Sequence, residues 1–154
     1  MRALLVGAVA FAVMEPITAL THRCVMHGVG ISLHRSHHRH AHQGTIGRRE
    51  ANDAYPMMFA GVVMLGLAIG FNVSGFAVLV PVGVGVTMYG VCYALVHDVY
   101  THRRVPLFGA GRTVPGLERL AAAHRLHHSG NAAPYGMLVP IARGSRPSHR
   151  PVES

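Results

Sequence analysis

Residues 22–42 read HRCVMHGVGISLHRSHHRHAH and hold seven of the chain's thirteen histidines. The histidines are spaced, not run together. His22 and His27 make an H-x4-H pair, and His34, His37 and His38 make an H-x2-HH triplet. Both spacings return far along the chain, as His97 and His102 in HDVYTH and as His124, His127 and His128 in HRLHH. These four groups take ten of the thirteen; His40, His42 and His149 fall outside the pattern and read as basic surface. On an α-helix positions i, i+3 and i+4 share a face, so each triplet can present three imidazoles together. Residues five apart stand about 140° apart on a straight helix. An H-x4-H pair therefore flanks a site, reaches two metals, or sits where the helix unwinds, and the spacing leaves all three open.

Ten imidazoles exceed the six ligands of an octahedral ion, so the pattern implies two metals with positions left for oxygen or substrate. Imidazole suits Fe, Zn, Cu and Ni, and cysteine takes no part in the repeated pattern, which argues against a structural zinc site. Three carboxylates stand where they could accept an imidazole N–H and fix its tautomer: Asp98 beside His97, Asp53, and Glu15, seven residues before His22 and on its helix face. Tyr89 and Tyr93 continue at four-residue steps to His97 and are candidates to line the approach to the metals.

What brings the four groups together is the rest of the chain. Half of its 154 residues are apolar, yet the net charge is +8, and the two properties are segregated into uncharged runs and arginine-rich blocks. That is the pattern of a small membrane protein with one charged face. Ala3–Leu20 would span roughly 27 Å as a helix, Tyr55–Phe71 about 25 Å and Phe76–Val96 about 31 Å. Arg2 and the apolar run after it also fit a signal peptide, but Glu15-Pro16 stands where a small-residue cleavage site belongs, so the segment reads as a retained span. Pro16 removes a hydrogen bond to the Ala12 carbonyl and predicts a kink. Cys24 and Cys92 read as buried free thiols.

Residues Gly116–His128 read as an amphipathic helix too short to span, placed in the membrane interface. Residues 143–154, rich in Arg, Pro and Ser, read as a disordered tail after a hydrophobic domain of residues 1–142. The expected fold is thus an all-α integral membrane protein. It has three transmembrane helices, an interfacial helix and a histidine-rich two-metal site at the membrane surface.

Three spans also make a test of the metal reading. With an odd number, His22–Asp53, His97–His102 and the last triplet all fall on one side; two or four spans would scatter them. Thirteen of the fourteen arginines lie on that side, which the positive-inside rule makes cytoplasmic, in the cell membrane. This topology accounts for the positive charge without nucleic acid.

The segments HRCVMHG, HRSHH, EANDAY, YGVCYALVHDVYTHRRVP and RLAAAHRLHH, in this order, resemble the bacterial β-carotene hydroxylases of the fatty acid hydroxylase and sterol desaturase superfamily. The resemblance covers roughly residues 10 to 140. It implies a membrane-embedded non-haem di-iron monooxygenase that uses O2 and electrons from a ferredoxin to hydroxylate β-ionone rings, giving zeaxanthin by way of cryptoxanthin. By matching position it implies that His22, His27, His34, His37, His38, His97, His102, His124, His127 and His128 are the iron ligands. Where members carry bulky aromatics between the first pair and triplet, this chain has Val29, Ile31 and Ser32, and it has no Trp. The alternatives are a hydroxylase or desaturase of a sterol or fatty acyl chain and, outside enzymes, a His-rich membrane metal-binding protein.

Overall fold

The computed structural model describes residues 1–40, 49–107, 113–130 and 133–140. Helix α1 (Arg2–Leu20) passes without interruption through Pro16 and continues into a π-helical segment, Thr21–Val29. The chain turns at Gly30 into α2 (Ile31–His40), and a 3-10 turn at Ala51–Asp53 then leads into α3 (Ala54–Asn72). After α4 (Leu79–Ala94) comes a second π-helical segment, Leu95–Thr101, and α5 (Pro115–Gly130) follows.

Three helical stretches are long and apolar enough to cross a membrane: Arg2–Val29, Ala51–Asn72 and Leu79–Thr101. This is a membrane protein. The first span runs past the expected end at Leu20 because the π segment carries the histidine pair on the same helix, whose backbone leaves helical geometry only at Gly28. The third begins at Leu79 instead of Phe76; Pro81 then falls in its first turn, where the missing N–H has no intrahelical partner to lose. The tip between α3 and α4 turns at Gly75, whose φ of +89° suits glycine.

Helix α4 packs against both α1 and α3. Gly7 lies against Pro81 and Gly85, while Phe11 and Glu15 lie against Tyr89. Residue numbers rise together in the two helices, so α1 and α4 run parallel and end on the same side. The α3–α4 pair is antiparallel, with Gly70 against Leu79 and Val80 near the tip and Leu67 over Gly83. Small residues let these backbones approach closely, as they do in membrane helix pairs generally.

The outer faces of the spans expose Leu4, Leu5, Val9, Val62, Leu65 and Val91. Burial is concentrated instead at the end where α1 and α4 finish. The largest fully buried side chains are Tyr100, His34, His37 and His127. The Tyr100 hydroxyl fixes α5 to the second π segment, accepting from Val114 N at 2.9 Å and donating to Glu118 at 3.0 Å. Tyr55 ties the start of α3 to the Gly30 turn by donating to the Gly30 carbonyl at 2.9 Å. His42, His149 and the tail 143–154 lie outside the described residues. His40 ends α2. Cys24 is exposed and Cys92 partly so, which corrects the expectation that both thiols are buried.

Candidate metal centre

All ten patterned histidines meet at the buried end of the spans. The imidazoles of His22, His27, His34, His38 and His127 form one group, and those of His37, His102, His124 and His128 form a second; within each, the ligating atoms lie within 4.8 Å of one another. His97 joins the second group through its Nε2, 3.1 Å from His37 Nε2. Either group could hold a metal ion.

The π-helical segments explain the H-x4-H spacing. A π-helix closes i→i+5 hydrogen bonds, such as His102 N to the His97 carbonyl at 2.9 Å and Gly30 N to the Val25 carbonyl at 2.8 Å. Residues five apart thus come to one face, and of the three possibilities the spacing left open, the helix does unwind at both pairs. Each triplet, by contrast, divides. Its i, i+4 members enter one group and its middle member enters the other: His34 and His38 against His37, and His124 and His128 against His127. Each half of the chain therefore supplies four imidazoles to one group and one to the other.

The outer ring nitrogens fix the tautomers. His22 Nδ1 donates to the Tyr135 carbonyl at 3.1 Å and His34 Nδ1 to Asn52 Oδ1 at 2.7 Å. His37 Nδ1 donates to Glu50 at 3.0 Å and His97 Nδ1 to Asp98 at 3.2 Å. A neutral imidazole protonated on Nδ1 carries a lone pair on Nε2. The lone pairs of His22 and His34 then face each other at 3.1 Å, and so do those of His37 and His97. No hydrogen bond can form in either pair. A cation between the rings turns this repulsion into coordination.

The contacts between Nε2 atoms measure 2.8–3.1 Å. This is the edge expected for two nitrogens about 2.1 Å from one centre and roughly at right angles. Buried Nδ1 atoms of His38 and His128 have no hydrogen-bond partner among the described residues, as befits rings placed for their other nitrogen. The donor set fits a pair of metal ions.

Burial favours the neutral form of His34, His38 and His102. It lowers the pKa of His34 to about 4 and those of His38 and His102 to about 3, with neighbouring imidazoles adding to the effect in each case. His124 and His128 are likewise held well below the ordinary range, first by burial. Glu50 is lowered chiefly by its hydrogen bond to His37, which keeps it an acceptor.

The three carboxylates expected beside the rings fare differently. Asp98 reaches His97 as expected. Asp53 instead pairs with Arg104 at 2.7 and 2.8 Å, and the same Arg104 bonds Asp98 at 3.1 Å. Glu15 turns away from His22 and accepts from Tyr89 OH at 2.6 Å, Leu138 N at 3.1 Å and Val139 N at 2.9 Å. Sequence reasoning passed over Glu50 and Asn52 as ring partners. Their signal was available in EANDAY, where Glu50, Asn52 and Asp53 precede a span and can cap its first turn toward the histidines.

A cavity of about 590 Å³ lies between α1, α3 and α4. Met14, Phe59, Val63, Leu67 and Val86 form apolar parts of its wall, and Tyr89 and Tyr93 also line it. Of the clustered histidines, only His97 reaches it. Tyr93 stacks on that ring with centroids 5.1 Å apart. From Val86 to His97 the cavity runs about 16 Å along the helix.

The fatty acid hydroxylase family model matches residues 7–142, a range that includes all ten patterned histidines. The chain belongs to the fatty acid hydroxylase family. Among the relatives of this hydroxylase-family chain is the β-carotene hydroxylase of Pseudescherichia vulneris, 43% identical over 116 residues, covering 75% of this chain and 62% of that protein. The β-carotene hydroxylase of Pantoea ananas is 40% identical over 119 residues with the same coverage. The chloroplastic β-carotene 3-hydroxylase of an Oncidium hybrid cultivar is 38% identical over 130 residues, covering 82% of this chain and 41% of that protein. The chain thus spans 62% of the length of the bacterial relatives. No solved structure matches it. The resemblance drawn from the histidine segments is confirmed.

Proposed function

We propose that this membrane protein hydroxylates the β-ionone rings of β-carotene, to cryptoxanthin and then zeaxanthin, with two iron ions held by the ten patterned histidines. The observation that carries the reading is the apolar cavity that ends at His97, one ring of the clustered set. In each turnover a ring C–H, O2, two electrons and two protons give a C–OH and water. Bound iron would supply O2 activation, which imidazole ligation with open positions permits.

The chain's own residues do the rest. The cavity wall solvates an apolar substrate that dissolves only in the bilayer, and its largely apolar lining disfavours water beside the reacting C–H bond. Tyr93, stacked on His97, holds that ring against the cavity. Glu50, Asn52, Asp98 and the Tyr135 carbonyl keep the Nδ1 protons in place, so that every backed ring offers Nε2 inward.

The histidine end faces the cytoplasm in the cell membrane, with α5 in the interface and the arginines around it drawing an acidic ferredoxin to deliver the electrons. The family's description keeps a fatty acyl or sterol substrate as the second reading. Expression in a β-carotene-producing bacterium, with pigment extraction and iron measured on the same membranes, tests both. Zeaxanthin is the expected product. Unchanged β-carotene with two irons bound per chain would move the assignment to another lipid, and an iron-free active protein would overturn the metal assignment.

A further inference from the structure

The ten imidazoles are arranged with a near-exact exchange symmetry. Each group takes one H-x4-H pair, one i, i+4 pair and one middle member of the opposite triplet, with His97 counted in the second group. The ligand set alone cannot make two metals there unequal. The atoms behind it can. In the first group the Nδ1 protons of His22 and His34 go to uncharged oxygens, the Tyr135 carbonyl and the Asn52 amide. In the second, those of His37 and His97 go to carboxylates, Glu50 and Asp98. Glu15, Asp53 and Glu118 bond elsewhere, and Arg104 shares the Asp98 carboxylate at 3.1 Å, so Glu50 carries the larger part of the charge behind this group.

A carboxylate on the outer nitrogen pushes imidazole toward imidazolate and raises its basicity toward a metal. It also adds negative charge that stabilises the higher oxidation state of the ion it faces. The cavity supplies an independent asymmetry, since the one clustered ring in its wall, His97, belongs to this carboxylate-backed group.

The geometry points to two electronically unequal metal positions: the position ringed by His37, His97, His102, His124 and His128 faces the substrate and holds the greater positive charge, while its partner, where neutral oxygens back His22 and His34, is the more easily reduced. The inference rests on the proposed two-iron reading. On reduction each iron takes one electron, going from the +3 to the +2 state, so the carboxylate-backed iron is reduced second.

The test uses the full chain in lipid nanodiscs, loaded with 57Fe, oxidised, and titrated with dithionite under Mössbauer observation. Wild type should bind two irons and give two quadrupole doublets of equal area that disappear in sequence. Glu50→Gln should displace the later-reduced doublet and weaken one iron about 10- to 100-fold against a chelator, leaving the other unchanged. Asn52→Asp places a carboxylate on His34 and should move the earlier-reduced doublet toward the later one, a readout that stands even if Glu50→Gln does not fold. Fewer than two irons in wild type would defeat the two-iron reading itself. Two irons with a single doublet, or both doublets shifted equally by either variant, would overturn the inequality alone.

Discussion

Glu15 sits within the first membrane span, where a carboxylate is costly unless it is engaged by protein groups. Its two oxygens accept three hydrogen bonds: Tyr89 OH and Leu138 N on Oε2, and Val139 N on Oε1. These bonds hold the segment 133–140 against α1 and α4, and that segment supplies the Tyr135 carbonyl that fixes His22. Consider Glu15→Gln. Its amide oxygen can keep Tyr89 and Leu138, but its NH2 then meets Val139 N, donor against donor. The Val139 N–H, on an exposed residue, loses its acceptor at about 0.5–1.5 kcal/mol, and two bonds lose their charged acceptor. The docked state of the segment should weaken by roughly 2- to 12-fold, since 1.4 kcal/mol is tenfold. His22 then loses its tautomer lock in a share of molecules. The expected result is a lower iron content in membranes, recovered activity when iron is in excess, and faster proteolysis between residues 133 and 140. Tyr89→Phe, which removes one of three bonds, should show a milder form. Wild-type iron content and wild-type protease resistance in Glu15→Gln would refute the reasoning, because the bonds would then not be what holds the segment.

Gly85→Ala places a Cβ 3.0 Å from the Gly7 carbonyl carbon and 3.1 Å from Ala10 Cβ, inside ordinary contact. Helix propensity alone would stabilise it by about 1 kcal/mol, whereas forcing α1 from α4 costs about 1–3 kcal/mol. The melting temperature in detergent should therefore fall, while Gly66→Ala, whose Cβ meets nothing within 4 Å, should raise it. Gly90 lines the cavity and a Cβ there also meets nothing within 4 Å, so Gly90→Phe should block carotene conversion and leave iron content unchanged. For pH, His34, His38 and His102 are held below their unfolded values, so between about pH 6.5 and 3 the unfolded chain binds more protons and stability rises with pH. Metal-free protein should melt lower at pH 5 than at pH 7.5; a flat profile would contradict the burial that holds these rings neutral. Glu50, lowered instead, loses its contribution only at more acidic pH.

The spans were legible because long apolar runs of about 25–31 Å have one economical reading, and their odd number then put all four histidine groups on one side. The ends were not legible. Hydropathy falls at His22 and at His97, yet the helix continues through both as a π-helix, a form that local propensity does not announce. The H-x4-H spacing was itself that announcement, since five is the π-helical hydrogen-bond step. The roles of Glu15 and Asp53 were misjudged for another reason. Helical phase told which face each occupies, but their partners Leu138, Val139 and Arg104 come from remote parts of the chain whose approach is set by packing.

The exchange of middle histidines has a consequence for how such a site forms. Had each half of the chain gathered its own five imidazoles, either half could bind a metal before the other folded. As built, the first group is incomplete without His127 and the second without His37. A metal in either group therefore clamps α2 to α5, which no continuous helix joins. The Nε2 lone pairs of His22 and His34, and of His37 and His97, face one another across 3.1 Å, where a shared cation would join them. Metal binding is then part of the folding free energy of the polar end. The apolar spans need only deliver α1 and α4 in parallel to the same side. Three spans do so, and the ligand exchange makes that delivery a condition for either metal to bind well.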